Sequence, residues 1–161
     1  MRNDLTITLA VLAFSGNLSA QAAPATPASA APGQAGGTVG LNDLPPAVKA
    51  TVEAETRKAA LKSVSREHEN GKTVYELESV VDGRTRDLMI DSAGKVYLIE
   101  EQVDLDKAPT AVTSVLERSG RIVKLESVTT RGQTHYEGHV RTKAGKTIAI
   151  EIAADGKPIT P

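Results

Sequence analysis

The sequence predicts an α+β protein built from two tandem helix-plus-antiparallel-meander units, with both helices packed on one side of the sheet. Three observations carry that reading. The phrases "DLMIDSAGKVYLIEE" (Asp87 to Glu101) and "AIEIAADGKPIT" (Ala149 to Thr160) share one pattern: apolar residues at every second position, a small-residue turn ending in Gly-Lys, and a return toward apolar character. Each phrase lies downstream of a proline-led stretch with helical periodicity. The stretches between are alternating segments punctuated by Asn-Gly, Asp-Gly and other glycine turns, which supply the positive backbone torsions of tight hairpins.

The first helix is expected from about Pro45 to Lys58, because proline suits the first helical turn and Leu44, Val48, Val52 and Ala59 form one apolar stripe. Four strands follow, at about Leu61 to Glu69, Lys72 to Val81, Arg84 to Ile90 and Lys95 to Glu101. The second helix is expected from about Pro109 to Ser119, with Val112, Val115 and Leu116 inward and Gly120 as its stop. Strands at about Arg121 to Thr130, Gln133 to Lys143 and Lys146 to Ala153 come next, then a short edge stretch at Lys157 to Thr160 that tolerates Pro158. Both helices are too short to stand alone in water and must lie on apolar sheet.

The two halves align by eye. "LPPAVKATVEA" (Leu44 to Ala54) answers to "APTAVTSVLER" (Ala108 to Arg118), "NGKTVYE" (Asn70 to Glu76) to "RGQTHYE" (Arg131 to Glu137), and "DGRTRDLMI" (Asp82 to Ile90) to "AGKTIAIEI" (Ala144 to Ile152). The offsets are 64, 61 and 62 residues, so the differences are loop-length changes. A unit of about 60 residues repeated twice fits duplication better than a solenoid.

Composition excludes several kinds of chemistry. A formal net charge of -1 leaves no basic excess for nucleic acid. Aromatic residues make up 2% of the chain, too few for a stacking platform, and there is no cysteine for a disulfide, a thiolate metal site, a nucleophile or a lipid anchor. The N-terminus reads as an export signal, residues 1–22: Arg2 precedes the uncharged run Leu5 to Phe14, and Ala20 to Ala22 offers a small-x-small cleavage site. That run is half the length of about 20 residues that a bilayer-spanning helix needs, so no stable membrane insertion is expected after cleavage. Asp4 weakens the basic flank and keeps an uncleaved anchor as the alternative. Of the 18 residues from Ala23 to Gly40, 16 are Ala, Pro, Gly, Ser or Thr, the composition of a flexible linker over about 23–41.

The carriers "LPPAV" (Leu44 to Val48), "TVYELE" (Thr73 to Glu78), "DSAGKV" (Asp91 to Val96), "THYEG" (Thr134 to Gly138) and "AADGK" (Ala153 to Lys157) resemble the PepSY-like family. Their tandem order is similar to the duplicated units of the beta-lactamase-inhibitor-like fold. The resemblance implies one PepSY-like unit over 42–104 and a second over 105–161. It further implies a periplasmic or secreted protein that binds or restrains an extracytoplasmic protein, such as a protease or envelope protein. These motifs are turn and core signals and bring no catalytic residue with them.

No catalytic residue, cofactor or metal ligand set is expected. His135 and His139 on one strand face would stand about 13 Å apart at roughly 3.3 Å per residue, too far for one ion to bind both. "REHEN" (Arg66 to Asn70) lacks the second histidine of a zinc helix, and "EEQVDLD" (Glu100 to Asp106) lacks the glycine and closing glutamate of a calcium loop, so it reads as a solvated connection. Glu76 and Glu78 share a strand face, with nothing apolar nearby to raise either pKa. Strand alternation turns Tyr75, Leu77, Ser79 and Val81, and Tyr136, Gly138, Val140 and Thr142, toward the helices. It turns Glu76, Glu78, His135, Glu137, His139 and Arg141 the other way, as a solvated face or as the candidate partner-binding face. Two functions stay open: a non-enzymatic protein-binding module of inhibitory or regulatory role, and a periplasmic ligand or metal-ion sensor.

Overall fold

The paired prolines open helix α1 (Pro46–Glu55), and its stripe Val48 and Val52 is buried together with Leu44. The helix ends three residues earlier than its periodicity predicts. Thr56 caps it, the backbone N–H and the hydroxyl both donating to the Val52 carbonyl. Four strands follow, β1 (Ala60–Glu69), β2 (Lys72–Val81), β3 (Arg84–Asp91) and β4 (Val96–Gln102). Helix α2 (Thr110–Ser119) leads into β5 (Arg121–Thr130), β6 (Gln133–Arg141) and β7 (Thr147–Ile152). These positions come from a computed structural model that describes residues 37–159; the expected export signal and residues 23–36 of the linker lie outside the described residues.

The expected α+β arrangement of two tandem helix-plus-meander units is overturned. All seven strands form one antiparallel sheet in the order β1-β2-β3-β4-β5-β6-β7, and the described residues are predominantly sheet with two ten-residue α-helices. The joint is β4 against β5, from Leu98 opposite Thr130 to Gln102 opposite Glu126. The physical reason is that a four-stranded meander and a three-stranded meander would each present an unpaired inner edge, and pairing those edges satisfies both. Arg84, whose guanidinium lies 3.1 Å from Asp104, fastens the connection between β4 and α2 to β3.

Strand register carries one apolar face across the sheet. Tyr75 opposes Ile90, Leu77 opposes Leu88, and Leu88 opposes Ile99; farther on, Leu125 opposes Gly138 and Tyr136 opposes Ile152. Both helices lie on this face. The core around α1 joins Val48 and Val52 to Val64, Tyr75, Leu77, Leu88 and Ile90, and that around α2 joins Val112 and Leu116 to Leu125, Val140 and Ile152. Arg86, half-buried on the same face, donates to Glu55 and to Glu101 at 2.9 Å each, tying the end of α1 to β3 and β4.

The two similar phrases have a packing role. Gly94, at φ +82°, sits where a Cβ would fall 2.6 Å from the Ala47 carbonyl oxygen, and Thr51 donates to the Gly94 carbonyl at 2.6 Å. Gly156, at φ +85°, meets Ala111 in the same manner, with 3.0 Å for a would-be Cβ. Each Gly-Lys turn is therefore pressed against the first turn of a helix, and only glycine fits that approach. The final stretch is not a strand: Pro158 forms an isolated bridge with Ile152, and the Ile159 N–H donates to Glu151. At the opposite edge Thr38 bridges Ser65, so the end of the Ala/Pro/Gly-rich segment lies along β1. Both outer edges are thus partly covered by short pieces of chain.

Candidate functional site

The sheet face opposite the helices is curled into a groove. Tyr97 on β4 donates its hydroxyl to Glu69 on β1 at 2.9 Å, although β2 and β3 lie between them. A flat sheet would hold strands three places apart about 14 Å from each other, so this contact requires strong curvature and closes one end of the groove. The cavity measures about 2160 Å³ and draws lining from all seven strands. Two β-bulges, between Leu61 and Ser63 and between Ile122 and Lys124, adjust the strands that flank it. The second leaves Lys124 on the groove face beside Glu126, with Val123, 45% exposed, also lining the groove.

Of the six candidate residues, Glu76, Glu78, Glu137 and His139 line the groove together. His135 is on the same face, opposite Val128, but its ring is directed at Glu151, 3.9 Å away, and Nε2 is buried without a hydrogen bond. Arg141 is exposed at the far end of β6 and stands apart. Of the two readings of this face, the solvated one does not hold for Glu76 and Glu137. Glu76 and Glu137 are only 9% and 7% exposed, because curvature crowds the inner face of a sheet and removes water from short acidic side chains.

That burial also reverses the expectation about acidity. Glu76 is pushed up to about 8, first by loss of water and then by Glu67, Glu78 and Asp87. The Glu137 carboxyl is also raised, by burial, while the neighbouring His139 ring pulls the other way. His139 Nε2 lies 3.0 Å from Glu137 Oε1 and 4.0 Å from Glu126 Oε2.

Three central residues were missed by sequence reasoning: Asp87 on β3, Glu100 on β4 and Glu126 on β5. One carboxylate oxygen of each lies within 4.8 Å of the others. Asp87 and Glu100 are direct register partners, whereas Glu126 reaches them only through the β4–β5 joint. Burial raises Asp87 to about 6, with Glu78 adding to it and Lys124 opposing. It raises Glu100 to about 7, reinforced by Glu126, Glu137 and Asp87. Lys124 Nζ lies 2.7 Å from Glu126 Oε1 and is the cation these carboxylates share. Parity along β3 could have placed Asp87 on this face; Glu100 read instead as the start of a solvated acidic run. The trio could hold a hard cation or an organic ammonium, since each offers oxygen acceptors around a common point.

No family model matches the sequence, and no curated protein matches it. Solved structures do resemble it. A DUF2874 family protein from Bacteroides uniformis superposes with a TM-score of 0.60 at 16% identity, over 72% of this chain and 86% of that one. A protein from Bacteroides eggerthii, provisionally described as periplasmic, gives 0.61 at 15% identity over 73% and 86%. A second DUF2874 family protein, from Bacteroides ovatus, gives 0.58 at 15% over 73% and 85%. The likeness is one of fold. Among the described residues no helix is long and apolar enough to cross a membrane.

Proposed function

We propose that this chain is an exported, non-enzymatic protein-binding module of the cell envelope, with an inhibitory or regulatory role, and that the curled sheet face is where it holds its partner. The observation that carries the reading is the groove itself: one continuous surface of about 2160 Å³ across seven strands, well beyond the roughly 300–1,000 Å³ of small-molecule pockets. The PepSY-like resemblance supports a restraining role. The sequence of residues 1–22 and the periplasmic description of the Bacteroides eggerthii protein support export.

A photo-crosslinking residue in place of Met89, inside the groove, tests this in the native host against one in place of Lys58, which is exposed in the turn between α1 and β1 and does not line the groove. A discrete cross-linked protein from Met89 alone is expected; equal capture from both positions, or none, defeats the reading. N-terminal sequencing of the same material should begin near Ala23, and an intact Met1 in the cytoplasmic fraction would defeat export.

A ligand or metal-ion sensor is the second reading, favoured by the meeting of Asp87, Glu100 and Glu126. Calcium titration followed by calorimetry separates the two: micromolar uptake that disappears in Glu100→Gln supports the sensor.

A further inference from the structure

We propose that the groove docks a basic, extended segment of a partner protein and seats one lysine head group among Asp87, Glu100 and Glu126. The inference rests on the reading of the groove as a partner-binding face and names the chemistry of what enters it.

Charge is the first argument. Nine carboxylates line the groove against five lysines and arginines, so its field attracts cations at pH 8 and above, where burial no longer keeps Glu76 and Glu100 protonated. Four of those bases, Lys62, Lys72, Lys95 and Arg131, are exposed, and three of them stand in or beside hairpin turns. Lys124 alone reaches the middle, and its ammonium contacts Glu126. Among the described residues, Asp87 and Glu100 have no ion-pair partner within contact distance. Two half-buried carboxylates side by side in this way carry an electrostatic cost that an incoming cation removes.

Geometry is the second. Three oxygens no more than 4.8 Å apart leave a central point about 2.8 Å from each, the length of a charge-assisted N–H···O bond. An ammonium has three donors for those three acceptors. The surroundings favour a side chain over a bare ion. Met89 and Leu98 are register partners next to the trio, and Val128 opposes Glu100. Such apolar neighbours cover a lysine's methylene stem, whereas calcium would want six to eight oxygens. A groove lined from all seven strands has room for several consecutive residues of a chain rather than one free amine.

Hexalysine and its fully acetylated counterpart, titrated into the mature protein and followed by backbone NMR at low and moderate salt, provide the test. Hexalysine should shift amides of β3, β4 and β5 saturably, more weakly as salt rises, while the acetylated peptide does not. An Asp87→Asn, Glu100→Gln pair should weaken binding at least tenfold while keeping the dispersed spectrum of a folded sheet. Equal response to the acetylated peptide, or shifts confined to acids outside the groove, would overturn the proposal. So would micromolar calcium uptake with no hexalysine response, or a dimer by sedimentation that protects groove amides. The two readings fail separately: partner capture through Met89 that survives the Asp87, Glu100 pair leaves the module standing and removes the lysine site. Hexalysine binding without any cross-linked protein does the reverse.

Discussion

Glu126 and Glu137 stand directly opposite one another on β5 and β6, with 4% and 7% of their surfaces exposed. Like charges at opposed strand positions repel, and burial strengthens the repulsion. The arrangement survives because each acid has a basic neighbour, the Lys124 ammonium at 2.7 Å from Glu126 and the His139 ring at 3.0 Å from Glu137. The groove is an electrostatically costly surface held in place by the apolar face behind it.

Removing the lysine should expose that cost. Lys124→Met is expected to destabilise the protein by about 2 kcal/mol at pH 8, less than a fully buried pair because the lysine is partly solvated. Adding Glu126→Gln should recover most of the loss. Urea denaturation of the two variants decides it, and a Lys124→Met protein as stable as wild type would show that the pairing contributes nothing.

Acid should stabilise the fold. Glu100 titrates near 7 when folded against 4.5 ordinarily, and Glu76 near 8 against the same value, so the folded state holds protons more tightly than the unfolded chain. A raised folded pKa contributes stability that is complete below the unfolded value and lost as pH climbs through the folded one. The melting temperature should therefore fall by about 5 °C between pH 5 and pH 8. Glu100→Gln should flatten the slope and melt above wild type at pH 8; a steeper slope in the variant would contradict the assignment.

Gly138 tests how α2 is fitted. It occupies the place that Leu77 holds in the earlier stretch of sequence, and the space is taken by Leu116, whose methyl groups a Cβ at 138 would strike. Gly138→Ala should cost about 1–3 kcal/mol through overpacking. The Leu116→Val, Gly138→Ala double variant should be closer to wild type than the sum of its parts, as contacting residues couple. Additive losses would place the strain elsewhere.

The two matching tyrosines should not be equivalent. Tyr75 is 6% exposed in the core beneath α1, and Tyr75→Ala is expected to cost roughly 3 kcal/mol. Tyr136 is half-buried at the margin of the other core, so Tyr136→Ala should cost about half as much. Thermal melts of the pair check this, and equal losses would restore the symmetry that the sequence implies.

Local chemistry was legible in the chain. Period-two alternation assigned Glu76, Glu78, His135, Glu137, His139 and Arg141 to one face of the sheet and Tyr75, Leu77, Gly138 and Val140 to the other, because successive Cβ atoms point to opposite sides whatever the strand later pairs with. Hairpin turns such as Asn70-Gly71 and Asp82-Gly83 fixed the neighbours of β2 by demanding positive backbone torsions. Only the tertiary structure decided that β4 pairs with β5, since edge pairing between distant strands depends on which hydrogen-bonding edges remain free after the local hairpins close. It also decided that the face is curled rather than flat, as Tyr97 reaching Glu69 shows. Those two events bury Glu76 and Glu137 and bring Asp87, Glu100 and Glu126 together, and no spacing in the chain encodes the removal of water that follows.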